Sequence, residues 1–271
     1  MATGVGVALT WTLLGALPAC AQAAAQPDAK TAAPAPAHVR TGRSLRVAAA
    51  SDLAFVMPAM IWAYEHEKGV KLNVTLGSSG ALATQIGNGA PFDVFLGADF
   101  SFPEHVIASG KAIETTPVPY ATGALVLWAR KDSPIKPLSV EKLSSDDVKR
   151  VAVADQFHAP YGRAAYAALR AMKIEDKVKG KLVVGENVAQ TAQFAETGNA
   201  QMALIPLTLA LSDKLKGEGE FVRMPMVYPD IEQCAVVMKG AQAEEGKAFL
   251  DWLRSPVVQG NLKQFGLEPA K

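Results

Sequence analysis

The sequence predicts an α/β protein with two doubly wound lobes that are joined by two hinge strands. Strand and helix patterns alternate in two separate series, at residues 45–110 and 150–215. Short connections between alternating strands and helices are typical of a parallel sheet covered by helices. Two long apolar runs, at residues 124–129 and 234–238, follow the two series. These runs predict a bilobal molecule with a cleft, whose last segment returns to the first lobe.

The first series begins with a buried strand and ends at a glycine. Apolar or alternating runs predict strands at residues 45–50, 70–76 and 92–98. Apolar residues at helical spacing predict helices at residues 53–64, 82–86 and 99–110, the last of them capped by Asp99. Pro58 falls inside the first helix and should bend it, unless the regular helix begins there.

The second series repeats the pattern, with strands predicted at residues 150–154, 181–185 and 200–205. Helices are predicted at residues 163–172, 188–198 and 207–215, the last of them after Pro206 stops the preceding strand. The C-terminal part adds the apolar strand and two helices, at residues 244–253 and 256–264. The order of these elements assigns residues 44–127 plus 228–271 to lobe one and residues 128–227 to lobe two.

The N-terminal region differs in composition from the predicted lobes. Residues 1–23 predict a secretory signal peptide, because a short apolar core precedes the small residues Ala21-Gln22-Ala23. The first basic residue is Lys30, so the positive start that is typical of such signals is missing. Residues 24–43 are rich in alanine and proline, which predicts a flexible or extended linker.

The two cysteines have different predicted fates. Cys20 follows Leu17-Pro18-Ala19 in a sequence that resembles a bacterial lipobox, so it is either a lipid anchor or lost by plain cleavage after Ala23. Cys234 then has no cysteine partner in the folded body. Because it lies in an apolar strand, we expect a buried structural thiol.

Composition limits the classes of partner. The chain has 271 residues and a formal net charge of +1, without a basic run. Nucleic acid and anionic membrane surfaces are therefore not expected partners, apart from a membrane contact through a lipid anchor. The four histidines are scattered and form no Cys/His cluster for zinc, and carboxylates or tyrosines for another metal ion are not clustered either.

Four strand-to-helix turns are built from small or polar residues. They are Ser51-Asp52, Ser78-Ser79-Gly80, Ala159-Pro160-Tyr161-Gly162 and Asn187-Val188-Ala189. In doubly wound lobes such turns lie at the carboxyl ends of strands, where ligands bind. Each helix start offers free N–H groups and a partial charge of roughly +0.5, so four of them could balance a dianion. The pattern predicts a small tetrahedral oxyanion held by N–H and O–H donors.

Each turn also has a purely structural interpretation. Ser51-Asp52 is a good helix cap, and Ser78-Ser79 is compatible with an ordinary tight turn. Asp52 would repel a dianion, so its carboxylate should point away and leave only its N–H toward the cleft. A serine hydrolase using Ser78 or Ser79 is a further alternative, but Gly77-Ser78-Ser79-Gly80 lacks the nucleophile-elbow spacing. Only His158 lies near a plausible partner loop, and the sequence shows no evident orienting acid for it.

Five sequence runs resemble the periplasmic molybdate-binding proteins of molybdate ABC importers. The runs are residues 49–53, 77–80, 88–96, 159–165 and 187–191, within a resemblance that spans about residues 45–267. The resemblance implies a type II periplasmic binding fold and a monomer that captures molybdate or tungstate and delivers it to an ABC permease. It implies no enzyme activity, no cofactor and a periplasmic location.

Carried over by position, the resemblance implies anion contacts from Ser51 and Ser79 in lobe one and from Tyr161 and Val188 in lobe two. These contacts would be made with the oxygens of molybdate, by hydroxyl groups and by backbone N–H groups such as that of Val188. Asp52 would add its N–H.

One position departs from the pattern of some relatives, which carry a tyrosine where this chain has Pro206. Proline has neither an N–H nor a hydroxyl, so Tyr161 is the candidate substitute donor. Molybdate and tungstate are nearly the same size, so the sequence does not separate them. A binder of sulfate or phosphate stays open as the alternative, because helix N-termini bind any oxyanion.

Overall fold

Two β-sheets organise residues 43–270, the part of the chain that the computed structural model describes. The predicted signal peptide, Cys20 and the linker up to residue 42 lie outside the described residues. Across residues 43–270, no helix combines the length and apolar character that a membrane span requires.

The strands, in chain order, are β1 (Ser44–Ala50), β2 (Lys71–Gly77), β3 (Val94–Leu96), β4 (Val118–Gly123), β5 (Leu125–Arg130), β6 (Val151–Ala154), β7 (Leu182–Gly185), β8 (Met202–Pro206), β9 (Gly219–Arg223), β10 (Ile231–Val237) and β11 (Glu268–Pro269). The helices are α1 (Met57–Lys68), α2 (Ser79–Gly87), α3 (Ser101–Ala108), α4 (Pro160–Ala171), α5 (Glu175–Val178), α6 (Val188–Glu196), α7 (Leu207–Ala210), α8 (Asp213–Glu218), α9 (Ala243–Leu253) and α10 (Pro256–Leu262). Predicted and observed elements agree closely in both βα series.

The first sheet has the strand order β11-β4-β10-β3-β1-β2. Strand β1 pairs in parallel with β2 and β3, whereas β10 is antiparallel to both β3 and β4. Successive side chains of β1 enter different cores: Val47 and Ala49 pack with α1, α9 and α10, and Ala48 packs with α2 and α3. This two-residue alternation means that helices cover both faces of the sheet, as predicted for lobe one.

The second sheet has the order β7-β6-β8-β5-β9 and forms lobe two. Strand β6 is parallel to β7 and β8, and β5 is antiparallel to β8 and β9. Helices α4, α6 and α7 contribute buried residues to the core around this sheet. Both sheets are therefore mixed, with a parallel βα part that carries helix starts at one edge.

The crossings between the sheets differ in position from the predicted hinge strands. Strand β4 belongs to the first sheet and β5 to the second, so the chain crosses at Ala124. The predicted boundary after residue 127 is therefore a few residues late, because Leu125–Arg130 lies wholly in lobe two. The chain returns through residues 224–230. The two crossings touch, since the Leu125 N–H donates to the Tyr228 hydroxyl at 3.0 Å.

Two prolines explain local differences from the predicted elements. Pro58 is the second residue of α1, where a missing N–H costs nothing, so the regular helix starts there without a bend. The preceding residues Ser51–Leu53 form a separate 3₁₀ turn. Strand β4 was not predicted, because Pro119 interrupts its sequence pattern.

Candidate functional site

The four predicted turns lie at helix starts, and contacts between the lobes bring them together. The 3₁₀ turn Ser51–Leu53 packs against α6 and α7. The start of α2 contacts the loop before α4, where the Gly80 N–H donates to the His158 carbonyl at 2.9 Å. The Thr208 hydroxyl of α7 donates to the Asp52 carbonyl at 2.6 Å. These contacts bring the turns of the two lobes against one another, and their joint donation to one anion stays a prediction.

Ser51 lies directly after β1, as the first residue of the 3₁₀ turn. Its side chain is buried, and its hydroxyl makes no hydrogen bond with any residue in the 43–270 range. This group is available to donate to a ligand between the lobes.

Ser78 and Ser79 have separate roles at the start of α2. Ser78 is the N-cap, and its Oγ accepts from the Ala81 N–H at 3.3 Å. Ser79 is 1% exposed, and its Oγ accepts from the Ala98 N–H at 3.0 Å. Because that contact uses the hydroxyl as an acceptor, the Ser79 proton stays free to be donated.

Tyr161 is the second residue of α4, after Pro160. Its N–H is one of the helix-start donors that have no acceptor within the helix. The hydroxyl crosses to lobe one, where it accepts from Gln233 Nε2 at 3.2 Å. Tyr161 therefore offers its backbone N–H at the helix start and uses its hydroxyl elsewhere.

Val188 is the first residue of α6. The Asn187 side chain caps this helix by accepting from the N–H groups of Ala189 and Gln190, both at 3.0 Å. The cap leaves the Val188 N–H without a hydrogen-bond partner among the described residues. The Val188 N–H is the group that the resemblance assigns to the anion.

Asp52 is buried, with 1% of its surface exposed, and its carboxylate is directed into the interface between the lobes. Gln233 Nε2 donates to Oδ2, while Oδ1 has no partner among the described residues. Burial raises the pKa of Asp52 to about 7, against the lowering effect of hydrogen bonds from Gln233, its own backbone and Tyr161. Because the Asp52 N–H contributes to its own carboxylate, a role of this N–H toward an anion stays a prediction.

The network around Gln233 was missed by sequence reasoning. Gln233 lies on β10 and is completely buried. Its Oε1 accepts from the Tyr120 hydroxyl of β4 at 2.9 Å, and its Nε2 contacts both Asp52 and Tyr161. A polar residue inside an apolar strand was the available signal, but its partners are distant in sequence.

A second contact closes the outer edge of the interface. Arg163 of α4 donates to Asp99 Oδ2 at 2.9 Å and to the Ser101 hydroxyl at 3.2 Å. Its guanidinium also lies 5.4 Å from the ring centre of Phe102. This cation therefore joins the two lobes and is neutralised by Asp99.

His158 does have an orienting acid, contrary to the expectation from the sequence. Its Nδ1 lies 2.9 Å from Asp155 Oδ1, at a distance of three residues in the chain. Neither Ser78 nor Ser79 hydrogen-bonds His158, and the imidazole is 61% exposed. A hydrolase would need a serine hydroxyl on the other imidazole nitrogen, so the acid–base pair lacks its nucleophile.

The donors predicted for the anion are neutral groups. Hydroxyl groups of Ser51 and Ser79 and N–H groups of Tyr161 and Val188 come from both lobes. Within the described part of the chain, no group of histidine, cysteine, aspartate or glutamate is arranged to hold a metal ion. Such donors are suited to an oxygen-rich anion, since positive helix ends and N–H groups favour negative charge.

The chain is similar in sequence and in fold to known molybdate-binding proteins. The molybdate-binding protein ModA of Azotobacter vinelandii is 33% identical over 82% of this chain and 88% of its own length. The protein of the same name from Rhodobacter capsulatus is 34% identical over 75% of this chain and 79% of its own length. The solved structure of the periplasmic molybdate-binding protein of A. vinelandii superimposes with a TM-score of 0.77 and 26% identity, covering 84% of this chain and 100% of that one.

The family described as bacterial extracellular solute-binding protein matches residues 45–268, which is nearly all of the described chain. The predicted bilobal, type II periplasmic binding fold agrees with these matches. The chain therefore belongs to the bacterial extracellular solute-binding protein family.

Proposed function

We propose that this protein captures molybdate, or the similar tungstate, in the periplasm and delivers it to an ABC importer. The observation that carries the proposal is the meeting of four donor-bearing helix starts from two lobes. The names of the relatives from A. vinelandii and R. capsulatus support molybdate as the ligand. The protein acts as a binder and not as an enzyme, and needs no cofactor.

The four donors divide between hydroxyl and backbone groups. Ser51 and Ser79 donate hydroxyl protons from lobe one, while Tyr161 and Val188 donate backbone N–H groups from lobe two. Pro206, at the end of β8, offers no donor. The Tyr161 hydroxyl does not supply the missing donor, because it hydrogen-bonds Gln233. The dianion is then balanced by helix dipoles and not by a lysine or arginine.

Ligand access requires the lobes to separate. All four donor residues are buried, with at most 5% of their surface exposed. The described arrangement is therefore a closed one, and binding proceeds by a hinge motion at Ala124 and residues 224–230. The closed monomer then docks on the permease, and residues 1–23 serve as the signal for export.

Calorimetry on residues 44–271 with molybdate, tungstate, sulfate and phosphate tests this proposal. We expect tight binding of the first two and no measurable binding of the last two. The reason is size, because sulfate is a smaller tetrahedron of the same charge and cannot reach donors on both lobes. Tight binding of sulfate or phosphate would keep the oxyanion site but contradict molybdate as the ligand.

Ser79→Ala is expected to weaken molybdate binding about 10- to 50-fold, because a hydrogen bond to a charged group is lost. Ser212→Ala is the matched control, since Ser212 Oγ caps α8 by accepting from the Leu215 N–H at 3.3 Å, away from the donors. The control should lower the melting temperature and leave the dissociation constant unchanged. Equal affinity of Ser79→Ala and the parent would remove Ser79 from the donor set.

A further inference from the structure

Gln233 is a fully buried residue whose side-chain amide hydrogen-bonds both lobes. One Nε2 proton goes to Asp52 in lobe one, and the second goes to the Tyr161 hydroxyl in lobe two at 3.2 Å. The side chain is fully buried, so each of these protons would be costly to leave without an acceptor. The two hydrogen bonds of the amide are therefore made together only when the lobes are closed.

The orientation of the amide is set by its neighbours. The Tyr120 hydroxyl lies 2.9 Å from Oε1 and 3.1 Å from the Gly97 carbonyl. A reversed amide would place Oε1 against Asp52 Oδ2, where the two acceptors repel each other while the carboxyl group is ionised. Tyr120 and Asp52, both in lobe one, thus aim the second Nε2 proton toward lobe two.

An irregularity of β10 places the side chain there. The pairing of β10 with β4 changes register between Gln233 and Cys234, where Cys234 lies opposite Pro119. Pro119 has no N–H for the ladder, which accounts for a break at this point. A bulge of this kind redirects side chains, and here it lies beside the residue whose amide reaches Asp52 and Tyr161.

We propose that Gln233 is a positioning residue for anion binding, which aligns the start of α4 with the Ser51–Leu53 turn. It holds the Tyr161 hydroxyl and thereby the first turn of α4, whose Tyr161 N–H is a proposed donor. It also holds Asp52, which follows Ser51 in the chain. The inference rests on the proposed function, and it assigns to Gln233 a role without contact to the anion.

The Gln233–Tyr161 hydrogen bond joins the lobes, so it contributes only to the closed state. Removing it should open the closed complex sooner and leave the encounter with the anion unchanged. We expect Gln233→Met to weaken molybdate binding about 5- to 10-fold, the size of one buried neutral hydrogen bond, through faster dissociation. Tyr161→Phe, which keeps the backbone N–H, should have a similar effect.

The experiment is a double-mutant cycle with molybdate affinity and dissociation rate as readouts. Gln233→Met and Tyr161→Phe should each weaken binding, and the double variant should lose less affinity than the product of the two effects, because both changes remove the Gln233–Tyr161 hydrogen bond while Tyr161→Phe also removes the Tyr161–Asp52 contact. Gln259→Met is the matched control: Gln259 Nε2 donates to the carbonyls of Tyr120 and Leu253, at 2.9 and 2.8 Å, within lobe one only. The control should lower the melting temperature without changing molybdate affinity.

The outcomes separate this inference from the proposed function. An unchanged dissociation constant for Gln233→Met and Tyr161→Phe, or effects that multiply in the double variant, would overturn the positioning role while the parent still binds. A parent chain that does not bind molybdate would overturn the proposed function, and the inference with it. If Gln233→Met does not fold, Tyr161→Phe is the second variant, and its unchanged dissociation constant would overturn the positioning role, since it removes the hydroxyl that Gln233 holds and no packing volume.

Discussion

Replacing Gly123 with alanine is expected to weaken molybdate binding about 100-fold and to leave each lobe folded, because the new methyl group collides across the interface. Gly123 ends β4 in lobe one. A Cβ atom there would overlap the Tyr161 hydroxyl oxygen, and would lie 2.9 Å from Tyr161 Cζ and 3.2 Å from Gln233 Nε2. The tyrosine ring is rigid and buried, so separation of the lobes is the simplest relief. Only the closed state is therefore destabilised.

Calorimetry measures this loss, and small-angle scattering should show a more open molecule in the presence of molybdate. Gly217→Ala is the control, since nothing lies within 4 Å of its added methyl group. A second change gives a sharper check: Tyr161→Phe in the Gly123→Ala background removes the overlapping oxygen and should restore part of the affinity. Parent-like affinity of Gly123→Ala would contradict a closed state with Tyr161 against Gly123.

Molybdate affinity is expected to fall as the pH rises above 7, by about 100-fold between about pH 7 and about pH 9. Burial raises the pKa of Asp52 to about 7, and the groups that face it are Gln233, Tyr161 and, farther off, Tyr120. None of these supplies a positive charge at neutral pH. A dianion bound beside Ser51 would repel the carboxylate and raise its pKa further.

The sign follows from proton linkage. Below the pKa of the free protein the carboxyl group is already protonated, so binding needs no additional proton. Above it, binding takes up one proton, and affinity falls up to tenfold per pH unit until the pKa of the complex is reached. Molybdate itself stays a dianion across this range, so the titrating group is on the protein.

Calorimetry in buffers with different ionisation enthalpies measures the proton directly. Asp52→Asn should remove both the proton uptake and the pH dependence. Asp251→Asn, which removes an exposed carboxylate on α9, should change neither. Proton uptake that persists in Asp52→Asn would show that another group titrates.

Local sequence patterns were sufficient for the βα units and for the four helix starts, which follow from strands that end at small residues before an apolar helical stripe. That signal depends on neighbours within a few residues, so it can be recognised in the chain. The choice of Ser51, Ser79, Tyr161 and Val188 within those turns rested on the resemblance to molybdate-binding proteins, and their role as donors stays a prediction. The lobe boundary was less accurate, because β4 and β5 are separated by Ala124 alone.

The interface network could not be predicted in the same way. Gln233 meets Asp52 across 181 residues and Tyr161 across 72 residues, and no local periodicity encodes such pairs. The orientation of the Asp52 side chain was also expected to be away from the cleft, on the basis of charge repulsion. Its raised pKa gives a different physical solution, since a protonated carboxyl group avoids that repulsion.

The chain path has a consequence for how the protein is made. Strand β10 lies between β3 and β4 in the first sheet. In the sequence, however, it follows both of these strands by more than a hundred residues. Lobe two is one continuous segment and can complete its sheet as soon as residue 223 is available. The sheet of lobe one lacks the strand between β3 and β4 until the C-terminal region has been synthesised. During synthesis, the early strands therefore depend longest on protection from aggregation.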